Sequence, residues 1–405
     1  MNKAQIKSSL TSKIKEILQE IKECKPDELV ALRKGHVIPS NEKGQDLLLS
    51  PIKFVLTNRE ISEKYSDEFI VREFFTLYRK LLFESGSKGT IAIDDSNINT
   101  HMENLISKLL DSQEETFHFV SEVYNLEMGD DQEYRFIDST IKILKQEDLS
   151  HLGKRDQEHG RDLIGKPAIL TKVQAGEGDF AKAKERAFYN FKLSLYLLRL
   201  YFPYAKPVLK GCLTNEDQLF IGYGKRSKIC YRDTVPEGNS RSYPAFLDSE
   251  KYGDLVNEGI TALEKDCSIS KVAKDSLYWF GLGLDEEYLS AKLVDFTLVL
   301  ESVLKKKDEQ TELRRAIVER GAILLFNTFE DRKNAAKELK DIYDVRSKVV
   351  HTGTTIVNEN IVSTAEEYAR KVTKKLITKS EEFNGDFDKF IDYLDDTKLR
   401  GPSNV

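Results

Sequence analysis

The chain has 405 residues, 40% of them apolar and 32% charged, with 9 Pro and 22 Gly. That composition belongs to a folded globular protein of two or three domains and excludes a collagenous or largely disordered chain. A net charge of −6 leaves no global basic footprint, so nucleic-acid contact has to come from a local cluster rather than a general coat. Cys24, Cys212, Cys230 and Cys267 stand far apart, without a C-x-x-C pair or a histidine at zinc-ligand spacing. They read as reduced structural thiols, and no metal or cofactor is expected. The opening "MNKAQIKSSLTSKIKEIL" lacks the continuous apolar core of a signal peptide. Phe191 to Phe202, the most apolar stretch, is broken by Lys192 and Arg199 and is too short to span a bilayer. The expected location is the cytoplasm, with no membrane partner.

From Lys3 to Glu23 the residues Ile6, Leu10, Ile14, Ile17, Leu18 and Ile21 recur at helical spacing, and a second helix is expected over Asp67 to Phe83. Between them, Gly35 to Leu56 mixes turn residues with short apolar runs and reads as a loop with one or two short strands. "GTIAIDD" then reads as a strand and "NTHMENLISKLL" as a helix. Further strands are expected in "ETFHFVSEVYNLEM", "STIKILK", "KPAILTKVQA", "PVLKGCL", "DQLFIGYG" and "KICYRD", whose aromatic and β-branched residues favour extended backbone. A long helix from about Asp179 to Tyr201 interrupts that series. Pro236 to Tyr252, rich in Gly, Pro and Ser, opens a linker-like boundary over 236–270. Beyond Ser270 the pattern is helix after helix, at about 270–282, 285–305, 310–328, 333–351, 360–383 and 386–397. The expected fold is therefore α+β, with a mixed α/β region holding the strand series over 1–260 and an all-α bundle over 270–400.

One arginine interrupts an apolar helix face. The helix from Lys333 to Val350 carries Ala336, Leu339, Ile342, Tyr343, Val345, Val349 and Val350, and Arg346 stands among them. Gly353 suits the left-handed residue that ends a helix, which places His351 in the last turn of "YDVRSKVVHTG". There the negative end of the helix dipole favours the imidazolium, a state suited to proton transfer. Arg346, roughly one and a half turns earlier, supplies a permanent cation whose planar donor fork matches phosphate oxygens. RNA carries its own nucleophile in the 2′-hydroxyl, so its cleavage needs a base, an acid and stabilisation of the phosphorane charge. Two Arg/His pairs facing each other across a symmetric dimer would supply all three. The same spacing also fits a bland reading, in which Arg346 pairs with a carboxylate of the bundle and His351 caps the helix.

The order "LVDFTLVLESVLKKK", "ELRRAIVERGAILL" and "LKDIYDVRSKVVHTG" resembles the Apea-like HEPN family, over about Lys271 to Glu382. The resemblance is strongest at Tyr343, Arg346, Ser347, Lys348, Val350, His351 and Gly353. It places the family's arginine on Arg346, its histidine on His351 and the polar residue after the arginine on Ser347. What it implies is a dimeric, metal-independent endoribonuclease that leaves a 2′,3′-cyclic phosphate, often serving in antiviral defence or as a toxin. It further implies that the region before the bundle senses a trigger ligand or protein, or restrains the nuclease. The resemblance also admits a non-catalytic dimerisation module that binds a nucleotide, RNA or protein without cutting, and that is the alternative.

Several lesser signals have ordinary readings beside functional ones. Glu301 and Asp295 interrupt the apolar helix before the motif and could orient Arg346 or His351, though carboxylates there more often face solvent or form ion pairs. Arg370, Lys371, Lys374, Lys375 and Lys379 make a basic stripe that reads as a solvated face paired with Glu366 and Glu367. "GYGKRSK" has Leu219 where a phosphate-binding loop needs glycine and reads as a hairpin turn. His151 and His159 read as surface loop, and Trp279 in "SLYWFGLG" as core packing.

Overall fold

The computed structural model describes residues 30–33, 36–39, 42–83, 95–130, 132–150, 160–203, 207–209, 220–224, 229–233, 245–246, 250–306, 313–353 and 355–400, with a few isolated positions besides. Most of the helix expected over Lys3 to Glu23, the strand in "GTIAIDD", and His151, His159, Cys24 and Cys212 lie outside the described residues, as does the turn over 225–228. The fold is α+β with a helical C-terminal part, as the hydropathy pattern requires. By contacts the chain divides into two interleaved units, Met1–Phe119 with Lys172–Ala187 and Gly222–Tyr231, and Val120–Thr171 with Phe188–Ile221 and Arg232–Val405.

In the first unit β1 (Val30–Arg33) and β2 (His36–Pro39) form an antiparallel hairpin. They are followed by α1 (Glu42–Leu56), α2 (Arg59–Lys64), α3 (Asp67–Phe83) and α4 (Asp95–Asp111). In the segment Gly35 to Leu56, β2 is one of the short strands expected, and α1 corrects the expectation for the rest. Pro51 lies inside it, and a proline there removes a helical hydrogen bond. Burial outweighs that loss, because Ile52 and Val55 are 2% and 0% exposed. The helix α3 has the bounds expected, and Phe74, Leu77 and Tyr78 are buried along one stripe. Asp179 caps the long helix α5 (Phe180–Tyr201), accepting from the Lys182 N–H at 3.1 Å and from the Ser66 hydroxyl at 2.9 Å.

The strands β3 (Glu114–Tyr124), β4 (Leu126–Glu127), β5 (Glu133–Phe136), β6 (Ser139–Ile143), β7 (Pro167–Gly176), β8 (Val208–Leu209), β9 (Phe220–Gly224), β10 (Ile229–Asp233) and β11 (Ala245–Phe246) follow in chain order. Their main sheet runs β10–β9–β3–β7–β6–β5. Within the second unit β6 pairs antiparallel with β5 and with β7, in the register Ser139↔Thr171 to Ile143↔Pro167. The strand β5 was not anticipated; "EYRF" is short, with only Phe136 buried.

The rest of the second unit is helical: α6 (Glu250–Glu264), α7 (Ser268–Asp285), α8 (Leu289–Leu304), α9 (Leu313–Leu325), α10 (Phe329–Thr352), α11 (Glu359–Lys379) and α12 (Phe387–Arg400). The helix α6 corrects the linker-like reading of its segment. Val256, Ile260 and Leu263 are buried at steps of four and three, a helical stripe that the neighbouring Gly- and Pro-rich stretch obscures. Trp279 is also corrected, since it is 36% exposed and lies off the α7 face that buries Ala273, Leu277 and Phe280. No helix among the described residues is long and apolar enough to cross a membrane.

Against α7 packs Tyr196 of α5, whose hydroxyl donates to Asp285 at 2.6 Å while Arg199 pairs with the same carboxylate at 2.5 Å. A Cβ on Gly281 would stand 2.0 Å from the Tyr196 ring. An exposed Gly→Ala change in a helix normally stabilises by about 1 kcal/mol. Gly281→Ala is expected to do the opposite, destabilising by about 1–3 kcal/mol through overpacking, read from urea midpoints; a stabilised variant would refute the close α5–α7 contact.

Candidate functional site

Two helices of the second unit set the site. On α8, Leu293, Phe296, Leu300, Val303 and Leu304 are fully buried, and Glu301 sits beside that stripe with its side chain 17% exposed. On α10, Thr328 caps the start by accepting from the Asp331 N–H at 3.2 Å, and Ala335, Leu339, Ile342 and Tyr343 are buried. The helix stops at Gly353, whose φ is +68° and whose N–H donates to the Val349 carbonyl at 3.2 Å. No atom lies within 4 Å of a Cβ built on Gly353, so a substitution there meets only backbone strain. Gly353→Ala is expected to lower stability by about 1 kcal/mol and Gly353→Asn by less, a difference that thermal melts would register.

A cleft of about 220 Å³ opens where α8, α9 and α10 meet, lined by Glu301, Arg314, Tyr343, Asp344, Arg346 and Ser347. Arg346 reaches Glu301 Oε1 through Nη2 at 3.4 Å, and the Tyr343 hydroxyl donates to the same oxygen at 3.4 Å. Both contacts are long for charge-assisted bonds. The Arg346 Nε is buried and has no hydrogen-bond partner among the described residues. Burial first, and the Glu301 carboxylate second, push the Tyr343 phenol well above its ordinary pKa, so it stays a neutral donor. In the same cleft Arg314 Nη2 meets both oxygens of Asp344, at 2.7 and 2.8 Å.

The expected site residues separate into two groups. Tyr343, Arg346, Ser347 and Glu301 come together in the cleft. His351 and Lys348 do not line it, and both are exposed on the last turns of α10. Five helical residues turn through about 500°, so Arg346 and His351 project in directions about 140° apart. Asp295 is half-buried on α8 outside the cleft, its carboxyl pushed up to about 6 by burial and then by Glu286. Lys371 pairs with Glu367 at 2.6 Å on an exposed face, as expected, but Arg370 corrects the solvated-face reading: its side chain is 13% exposed, pairs with Glu366 at 2.8 Å and donates to the Arg199 and Leu200 carbonyls at 2.6 and 2.9 Å. Cys267 is a free thiol at the start of α7, where its sulfur accepts from the Ser270 N–H at 3.4 Å.

Arg314 and Asp344 were not singled out by the sequence. The available signal was phase: Arg314 stands three residues before Ile317 and seven before Gly321, both buried, whereas Arg315 pairs with Glu319 on the outer face at 3.0 Å. Comparison of the chain with family models, with curated proteins and with solved structures finds no match.

Proposed function

We propose that the C-terminal helical bundle is a metal-independent endoribonuclease of the HEPN type, acting on RNA in the cytoplasm as an antiviral-defence or toxin effector. The observation that carries this reading is Arg346, whose side chain is only 24% exposed and lines an open cleft, with its buried Nε lacking an acceptor among the described residues. A phosphate oxygen is the acceptor such a fork fits best. In the reaction a base removes the 2′-hydroxyl proton, the O2′–P bond forms, the P–O5′ bond breaks, and an acid protonates the departing 5′-oxygen. The product is a 2′,3′-cyclic phosphate, and the nucleophile belongs to the substrate itself. His351 supplies the proton transfers and Arg346 stabilises the phosphorane charge.

The divergent directions of Arg346 and His351 on α10 support a homodimeric site, in which the second protomer brings a histidine to each arginine. The N-terminal region then senses a trigger ligand or protein. The second reading, a non-catalytic module that binds a nucleotide, RNA or protein, is favoured by the one feature that a single chain's cleft holds Arg346 without His351. Incubation of the pure protein with bulk cellular RNA in chelator separates the two. Cut ends carrying cyclic phosphate are expected from the wild type; RNA bound but left whole supports the second reading.

A further inference from the structure

We propose that the cleft takes one ribose-phosphate unit of the strand through Arg314 and Asp344, two residues outside the R-x4-H motif. The inference rests on the RNA-cutting reading above and names how the same site grips its substrate. The cleft is lined by two guanidiniums, Arg314 and Arg346, and two carboxylates, Glu301 and Asp344. A bare anion would meet those carboxylates as like charges, and a bare sugar would leave the guanidiniums unanswered. A ribose phosphate satisfies both, since its phosphate accepts from guanidinium and its hydroxyls donate to carboxylate.

Of the two ion pairs, the one free to open is Arg314–Asp344. Its side chains are 46% and 43% exposed, against 24% and 17% for Arg346–Glu301. An exposed pair of that kind holds weakly, so a phosphate can replace Asp344 at Arg314 with little loss. Asp344, once released, accepts from a ribose hydroxyl. Glu301 stays in place, because it still receives the Tyr343 hydroxyl and Arg346. Arg314 thereby becomes a substrate-binding residue, and Asp344 the group that distinguishes RNA from DNA.

The test is the binding of a short single-stranded RNA, followed by fluorescence anisotropy over a range of salt in a His351→Ala background that cannot cut. Each phosphate contact on a single strand contributes about 0.7 to the slope of log K against log salt. Arg314→Gln is expected to weaken binding by roughly fivefold to tenfold and to flatten that slope by about 0.7. Arg315→Gln, one residue away and paired outside the cleft, should leave the slope unchanged. The corresponding 2′-deoxy strand should bind more weakly than RNA, and Asp344→Asn should narrow the difference. An Arg314→Gln slope equal to that of Arg315→Gln, or equal binding of RNA and DNA, would overturn the inference. A wild-type chain that cuts RNA while Arg314→Gln behaves like the control removes this inference alone. Absence of RNA binding by every variant removes the nuclease reading with it.

Discussion

His351→Ala is expected to lower RNA cleavage by about 10²–10⁴-fold, the range for removal of a general acid–base group. Arg346→Lys should lower it by about 10²–10³-fold, since a lysine keeps the charge and loses the planar fork. Lysine is the better choice than alanine at position 346, because Arg346→Ala leaves Glu301, 17% exposed, without its cation and confuses stability with chemistry. The sharper measurement mixes the two inactive chains. If each site takes Arg346 from one protomer and His351 from the other, a heterodimer of Arg346→Lys with His351→Ala contains one intact site. Activity on the order of a quarter of the wild type should return after subunit exchange. A site complete within one chain predicts no recovery, because neither protomer then holds both residues. A single-chain mass at micromolar concentration would count against the paired site as well.

Most of what positions this site was legible in the sequence, and for a physical reason. Apolar residues at steps of three and four phase a helix strongly, so α3 and the helices α7 to α12 fall within a few residues of their expected bounds. The stop at Gly353 was legible because few residues tolerate a positive φ. Arg346 was visible as a charge within an apolar stripe. Elements that mix signals were not legible. In α1 a proline and a glycine mask a helix that tertiary burial stabilises, and in α6 a Gly- and Pro-rich neighbour blurs the start. Long-range partners were less legible still. Glu301 was singled out as a carboxylate that could orient Arg346, and it pairs with it, but nothing local in "LESVLK" says that it also meets Tyr343, more than forty positions away. The divergence of Arg346 and His351 could have been read from helical phase alone, and it adds a geometric argument to the chemical one for the proposed paired site.

Arg320→Gln is expected to destabilise the bundle by about 2–4 kcal/mol without touching the cleft. Arg320 on α9 is 5% exposed and spends its whole fork on partners. Its Nε and Nη2 donate to the two oxygens of Asp395 on α12 at 2.8 and 3.1 Å, its Nη1 and Nη2 to Glu309 at 2.6 and 3.2 Å, and its Nη1 to the Leu304 carbonyl at the end of α8 at 2.8 Å. One side chain thus ties three segments of the bundle together. Removing the cation from a buried pair costs about 3–5 kcal/mol. The figure is reduced here because the Glu309 and Asp395 side chains are 21% and 37% exposed. The two carboxyls give the effect a pH signature. Burial alone would raise them, but hydrogen bonds from Arg320, joined at Asp395 by Lys306, outweigh it and hold both below their usual range. A carboxyl whose folded pKa is depressed contributes stability above its unfolded pKa, about 4, and loses it as the pH falls through the folded value. Wild-type urea midpoints should therefore be steady near neutrality and drop from about pH 4 downward, whereas Arg320→Gln should start lower and fall less steeply across that window. Parallel acid limbs for the two proteins, or a loss below about 1 kcal/mol at neutral pH, would mean that Arg320 behaves as an ordinary surface ion pair.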